Sequence, residues 1–232
     1  MKKTTDSYSV YARFLPSIAS SLPFFVIWFF LAENARLSSL GSFLLSIQFF
    51  GSVTLSVAGL YFYAQMLRIT SKYFEGLYFT KSKGFPTTYL MMYENDTFSD
   101  SYKDTYRSLV KKHFDMDLLT KDDEETQKAE ARKRLNEVAK QAILKVGDGR
   151  LVKKQNIWYG FSRNLVGGAI YSTIFCIVGL VISALTKNGL LAIILACLII
   201  PYGALLLFRK SILTQTGEAY AQQLIAEFIS IG

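Results

Sequence analysis

From Gly41 to Met66 the chain runs twenty-six residues without a formal charge. About 20 residues of α-helix cross a hydrocarbon core, so this stretch reads as a membrane span and the rest of the chain has to be arranged around it. Small residues recur along it, at Gly41, Ser46, Gly51, Ser52, Ser56, Ala58 and Gly59. In lipid such residues let helix backbones approach closely. Arg68 and Lys72 then close the segment on the polar side.

Three further apolar blocks share this character: Phe14–Leu31, Leu165–Leu185 and Leu190–Phe208. In the first, Pro16 falls in an opening turn, where proline is harmless, and Pro23 falls in the interior, where it bends a helix. The block is too long for the apolar region of a signal peptide and lacks a small-x-small cleavage site, so it reads as an uncleaved span. Ala32–Leu40 joins the first two blocks and Lys187-Asn188-Gly189 the last two. Connections this short make each pair an antiparallel hairpin.

Charge fixes the expected orientation. Nineteen of the 26 basic and 14 of the 18 acidic residues lie in Arg68–Arg163, while Ala32–Leu40 and Thr186–Gly189 hold only Arg36 and Lys187 as cations. Basic residues gather on the cytoplasmic side of spans. This predicts an all-α membrane protein of four transmembrane helices, two plus two, with both termini and a mostly helical inserted domain in the cytoplasm of a bacterial inner membrane. The divisions are 1–67 (N-terminal hairpin), 68–163 (cytoplasmic domain), 164–210 (C-terminal hairpin) and 211–232 (amphipathic tail helix). The tail carries Ala219, Leu224, Ile225, Phe228 and Ile229 and could return to the membrane surface or to the soluble part.

Within the insert, Thr87–Tyr93 is an apolar-aromatic run that suits one buried strand or core coil. Ser99 is a candidate N-cap for a helix to about Phe114, with Tyr102, Tyr106, Leu109 and Val110 inside. Thr120–Asp123 has capping-box spacing, and Leu135, Val138, Ala139, Ala142, Ile143 and Val146 recur at helical period. The polar half, Asp122–Arg134, should project into solvent. Gly147 and Gly149 mark the end. Asn156–Gly168, with Trp158, Tyr159 and Phe161, fits an interfacial re-entry, with Arg163 as the headgroup anchor.

No catalytic set stands out. The lone histidine, His113, has no H-x-x-x-H, HExxH or C-x-x-C partner, so neither a metal site nor a cofactor site is expected. Phosphate loops, GxGxxG turns and GxSxG elbows do not occur. Cys176 and Cys197 lie inside apolar blocks and make no disulfide framework. The acidic run Asp115–Glu125 lacks the tight-turn glycine and spacing of a calcium loop. The basic residues Lys128, Arg132, Lys133, Arg134, Lys140 and Lys145 alternate with acids and lack interleaved aromatics. They read as a solvated face, and nucleic acid is not the expected partner.

The remaining candidates are membrane features. Gln48, Ser52 and Ser56 form a polar stripe on the second span that could line a pore or hydrogen-bond between helices. Lys153, Lys154 and Arg163 are placed to meet lipid headgroups. Gly51, Gly59, Gly167 and Gly168 are candidate packing positions, in number enough to suggest a homo-oligomer.

Phe85-Pro86-Thr87-Thr88, the helical insert, and Asn156-Ile157-Trp158-Tyr159-Gly160-Phe161-Ser162-Arg163-Asn164 leading into a span together resemble small multi-pass membrane proteins of bacterial phage-defence loci. The resemblance implies a membrane effector or sensor working with a cytoplasmic protein partner, and assigns no residue a role. The expected function is thus non-enzymatic: the insert takes up a signal or partner and the bundle disturbs the membrane. A lipid-modifying enzyme using groups near Ser162 and Arg163, or a passive anchor or scaffold, are the rival readings.

Overall fold

A computed structural model describes residues 8–36, 58–80 and 84–232. Among them every regular element is helical. A π-helical turn at Val10–Phe14 leads into α1 (Leu15–Arg36), residues 58–75 form α2, and a second π-helical turn follows at Gly76–Thr80. Then come α3 (Pro86–Tyr89), α4 (Asp100–Phe114), α5 (Lys121–Thr126), α6 (Lys128–Val146), α7 (Arg150–Thr186), α8 (Gly189–Leu207) and α9 (Arg209–Ser230). Among the described residues three helical stretches are long and apolar enough to cross a membrane: Val10–Leu31, Arg150–Thr186 and Gly189–Leu207. Most of Gly41–Met66, the expected second span, lies outside the described residues.

The chain divides into two units. Met1–Phe74 with Gly160–Lys210 is the apolar one, and Glu75–Tyr159 with Ser211–Gly232 the polar one. In the apolar unit the outward surfaces of the helices remain hydrophobic. Phe29, Phe62, Leu185, Ile193 and Ile200 are all more than 60 % exposed, which suits lipid and not water. Its interior holds Ile27, Ala169, Cys176, Leu191, Leu195 and Tyr202.

The polar unit has a conventional aqueous core. Leu90, Met91 and Met92 meet Tyr106, Leu109 and Val110 of α4, Leu135, Val138, Ala142 and Val146 of α6, and Leu224, Ile225 and Phe228 of α9. Phe228 stacks on Phe114 at 5.5 Å and meets Tyr106 edge-on at 5.3 Å. The tail helix therefore belongs to the soluble core, and its 22 residues run longer than a short surface helix requires.

Three sequence expectations need correction. Thr87–Tyr93 is not a strand. Pro86 at the first position starts one helical turn, and Met91 N–H to Thr88 O and Met92 N–H to Tyr89 O continue it as local turns. The polar helix opened by Thr120 does not run on, because it breaks at Gln127, whose φ of −121° is not helical, and restarts at Lys128. Asn156–Gly168 is not a separate re-entry either. It lies inside α7, a single 37-residue helix roughly 55 Å long at 1.5 Å per residue. No proline interrupts it, and the glycines it contains only lower helix propensity without breaking the ladder.

Capping follows the side chains. Ser99 accepts from Tyr102 N–H at 3.3 Å and Thr120 from Asp123 N–H at 3.3 Å. Asn188 accepts from Leu191 N–H at 3.1 Å, just after Lys187 turns through φ +53°.

Candidate functional site

Within the apolar unit the polar groups gather around the two prolines of the first span. Proline has no N–H, so the carbonyl four residues earlier loses its helical donor. Ahead of Pro16, in the π-helical turn Val10–Phe14, the Ala12 carbonyl accepts from Asn164 Nδ2 of α7 at 2.6 Å. For Pro23 the orphaned carbonyl is Ala19, and the Tyr202 hydroxyl of α8 donates to it at 2.5 Å. The next carbonyl, Ser20, accepts from the Ser172 hydroxyl at 2.7 Å and from the Tyr63 hydroxyl at 3.3 Å. Helices α2, α7 and α8 thus each hand a donor to the backbone of α1. In lipid a breached helix ladder is tolerated where neighbouring helices re-satisfy it in this way.

Glycines of α7 bring the donors within reach. A methyl group at Gly168 would lie 2.6 Å from Ser20 Cβ, and one at Gly167 would lie 2.3 Å from Ser71 Oγ and 3.0 Å from the Leu67 carbonyl. At Gly179 it would meet Leu195 Cδ1 at 2.5 Å and Ile27 Cδ1 at 2.7 Å. Gly59 is different, since nothing lies within 4 Å of an added methyl. Asn164 keeps one unsatisfied atom, a buried Oδ1 without a hydrogen-bond partner. Beside the seam Thr70 Oγ1 and the Tyr171 hydroxyl lie 2.8 Å apart.

Other candidates fall apart from this seam. Gln48, Ser52, Ser56 and Gly51 lie outside the described residues. Lys153 is half-buried and Lys154 exposed in the soluble unit, whereas Arg163 is half-buried in the apolar one. Ser162 is buried on α7.

The soluble unit contains its own buried charges. Arg107 Nη2 pairs with Glu124 Oε2 at 2.9 Å, and its guanidinium also donates to the Met91 and Leu119 carbonyls at 3.1 and 3.3 Å. It lies 3.9 Å over the Tyr93 ring, while Tyr93 N–H donates to Glu124. Burial and the Asp104 carboxylate that its hydroxyl contacts push the Tyr93 phenol up to about 12. The expectation that Asp122–Arg134 simply projects into solvent fails at Glu124 and Ala131, both buried. A residue pattern cannot announce this pair, because Arg107 and Glu124 meet only after α4 and α5 fold together.

Elsewhere the basic face is paired as a solvated face would be. Lys128 and Arg132 share Glu94 at 2.8 and 3.1 Å, and they hold its carboxyl below the usual range. Arg134 pairs with Glu130 at 2.9 Å. Asp100 takes Lys121 at 2.8 Å and Lys103 at 3.8 Å. His113 Nδ1 lies 3.0 Å from Lys145 Nζ. Cys176 and Cys197 are free, and among the described residues no group of three His, Cys, Asp or Glu side chains could hold a metal ion.

No protein family, no curated protein and no solved structure matches the chain. The class is set by the architecture: a multi-span helical membrane protein with a soluble helical unit.

Proposed function

We propose that the chain is a non-enzymatic bacterial inner-membrane sensor or effector, acting in phage defence. Its soluble unit takes up a signal or a cytoplasmic protein partner, and a homo-oligomeric bundle answers by opening the membrane barrier. There are four spans in two hairpins, with Gly41–Met66 as the second and both termini cytoplasmic. The basic flanks support that orientation.

The observation that carries the reading is α7. One unbroken helix gives its first residues, through Tyr159, to the soluble unit and the rest to the apolar unit. A change in the soluble unit has a covalent, hydrogen-bonded path to Gly167, Gly168 and Ser172, where α7 meets α1 and α2. The hydroxyl donors there can exchange partners at modest cost, since hydrogen bonds between membrane helices average about 0.6 kcal/mol. In the open assembly Gln48, Ser52 and Ser56 line the wet path.

Ion leakage from liposomes carrying the purified protein, with and without cytoplasmic extract from infected cells, tests the reading. Leakage that depends on the extract, and that the combined change of Gln48, Ser52 and Ser56 to leucine abolishes, is expected. Release of a lipid headgroup without leakage would instead establish the enzyme reading. A strictly monomeric mass in native lipid particles would end the oligomer.

A further inference from the structure

The chain has a single histidine, and it stands where the last turns of α9 meet α4 and α6. His113 Nδ1 lies 3.0 Å from Lys145 Nζ. An ammonium only donates, so Nδ1 is the acceptor, the ring is neutral and its proton sits on Nε2. That atom is buried and finds no hydrogen-bond partner among the described residues. The ring packs edge-on against Phe228 of α9 at 6.0 Å and lies 6.5 Å from Phe114, on which Phe228 stacks. One residue away, Lys112 donates to the Gly232 carbonyl at 3.2 Å. The imidazole thus sits inside the contacts that fasten the end of α9.

The charges acting on the ring have one sign. Lys145 comes from α6 and Lys112 from α4 itself, and both oppose an imidazolium. The neighbouring carboxylates are engaged elsewhere. Asp115 pairs with Lys111, and Glu227, next to Phe228 in sequence, lies beside Gly149 at the α6–α7 turn. Protonation turns Nδ1 into a second donor, so that it faces the Lys145 ammonium with no lone pair between them. The 3.0 Å contact cannot persist, and the new charge stands beside two others with its Nε2–H still unpaired.

We infer that His113 is a proton-operated latch: the neutral ring fastens the last turns of α9 to α4 and α6, and the imidazolium releases them. Only Phe208 separates α8 from α9, so α9 is a second covalent route from the soluble core to the spans, α7 being the first. Burial, and then the Lys145 and Lys112 charges, hold the latched imidazole below the ordinary histidine value, about 6.5. The released ring binds a proton more readily, so the latch is closed above about pH 6.5 and gives way as pH falls from there. The inference gives the proposed receiver unit a signal of defined chemistry, a falling cytoplasmic pH, and rests on that reading only for its link to leakage.

A lone histidine makes the test direct, because its imidazole resonance needs no assignment. The full chain in phosphatidylglycerol nanodiscs, labelled at histidine, is titrated by NMR from pH 8 to pH 5. Hydrogen exchange over 224–230 is followed on the same samples, as protection relative to the free peptide so that the intrinsic pH dependence cancels. The His113 midpoint should lie below the ordinary value. Across it, protection of 224–230 should fall at least threefold while that of 135–142 in α6 holds. His113→Gln keeps an acceptor for Lys145 but takes no proton, and it should keep the α9 end protected throughout. Lys145→Met should raise the His113 midpoint and shrink the loss of protection. Lys145 is exposed, so its variant carries the test even if His113→Gln lowers stability. Equal loss of protection in His113→Gln and the parent chain, a His113 midpoint at or above about 6.5, or parallel loss in α6 overturns the latch. Release of the α9 end without leakage from liposomes would instead count against the proposed function and leave the latch standing.

Discussion

The Tyr202 hydroxyl reaches the Ala19 carbonyl at 2.5 Å, and that carbonyl is the one Pro23 deprives of its helical N–H. The tyrosine thus acts as a prosthetic donor for a defect 183 residues away in sequence. The two residues should be energetically coupled. Tyr202→Phe should destabilise the bundle by about 1 kcal/mol in the parent chain. In a Pro23→Ala background, where residue 23 supplies its own N–H, the same change should cost much less. A double-mutant cycle on unfolding in mixed micelles measures the difference, and additive costs would show that the hydroxyl does not serve the proline gap.

Asn164 donates to the Ala12 carbonyl in the π-helical turn ahead of Pro16. Asn164→Ala should destabilise by a similar amount, about 1 kcal/mol, and Pro16→Ala should relieve part of it. Because the Asn164 Oδ1 atom has no partner, Asn164→Leu should cost less than the loss of a fully bonded amide. Melting temperatures of the parent, Asn164→Ala, Asn164→Leu, Pro16→Ala and combined Pro16→Ala/Asn164→Ala chains decide it.

The α7 glycines divide from Gly59 by their surroundings. Gly167→Ala and Gly168→Ala force a methyl group to 2.3 and 2.6 Å from neighbouring side chains, and overpacking of this kind costs about 1–3 kcal/mol. Gly59→Ala meets nothing within 4 Å and should be neutral or stabilising by up to about 1 kcal/mol through helix propensity. Equal melting temperatures for all three variants would refute the close approach.

Local signals carried far in the sequence. Ser99 and Thr120 cap helices because a short oxygen-bearing side chain precedes a periodic run, and that is visible in the residues themselves; Asn188, legible only as part of a turn, caps α8 in the same way. Tyr106, Leu109 and Val110 turned inward as their spacing required. What failed was length and partnership. Trp158, Tyr159 and Phe161 look like an interfacial break, yet no residue there stops a helix, so α7 continues through them. Glu124 sits in a polar run and is buried because Arg107 and the Tyr93 N–H receive it. The proline seam was half legible: Pro23 names the orphaned Ala19 carbonyl by counting back four, whereas Pro16 reads as harmless in an opening turn, and only the fold supplies Asn164 and Tyr202.

Arg107 and Glu124 have side chains 11 % and 4 % exposed. Removing one partner strands the other's charge in the protein interior, which costs about 3–5 kcal/mol. Arg107→Ala or Glu124→Ala should therefore unfold much of the soluble unit. Replacing both together with hydrophobic residues of like volume should cost far less, because no lone charge is then buried. Proteolysis of the full chain in micelles reads this out as cleavage confined to 75–159 and 211–232. Resistance in both single variants would place the pair in solvent.

His113 should add a pH-dependent contribution to the stability of the soluble unit. Burial first, and then the Lys145 and Lys112 charges, hold its imidazole below the ordinary histidine value, which is about 6.5. The neutral form is the one that accepts from Lys145 at Nδ1, and the ring packs edge-on against Phe228 at 6.0 Å. With a depressed value in the fold, the unfolded chain binds the proton more readily. This contribution to stability is fully present above about pH 6.5. It is lost progressively as pH falls from there, and the loss levels off below the folded-state value. His113→Gln should flatten that slope between pH 7 and pH 5, and Lys145→Gln should reduce it by removing the larger of the two charge effects. Thermal melting of the soluble unit's helix signal across that range measures both. An unchanged slope in His113→Gln between pH 7 and pH 5 would refute the His113 contribution, because a carboxylate held below its usual range, such as Glu94, acts only at more acid pH.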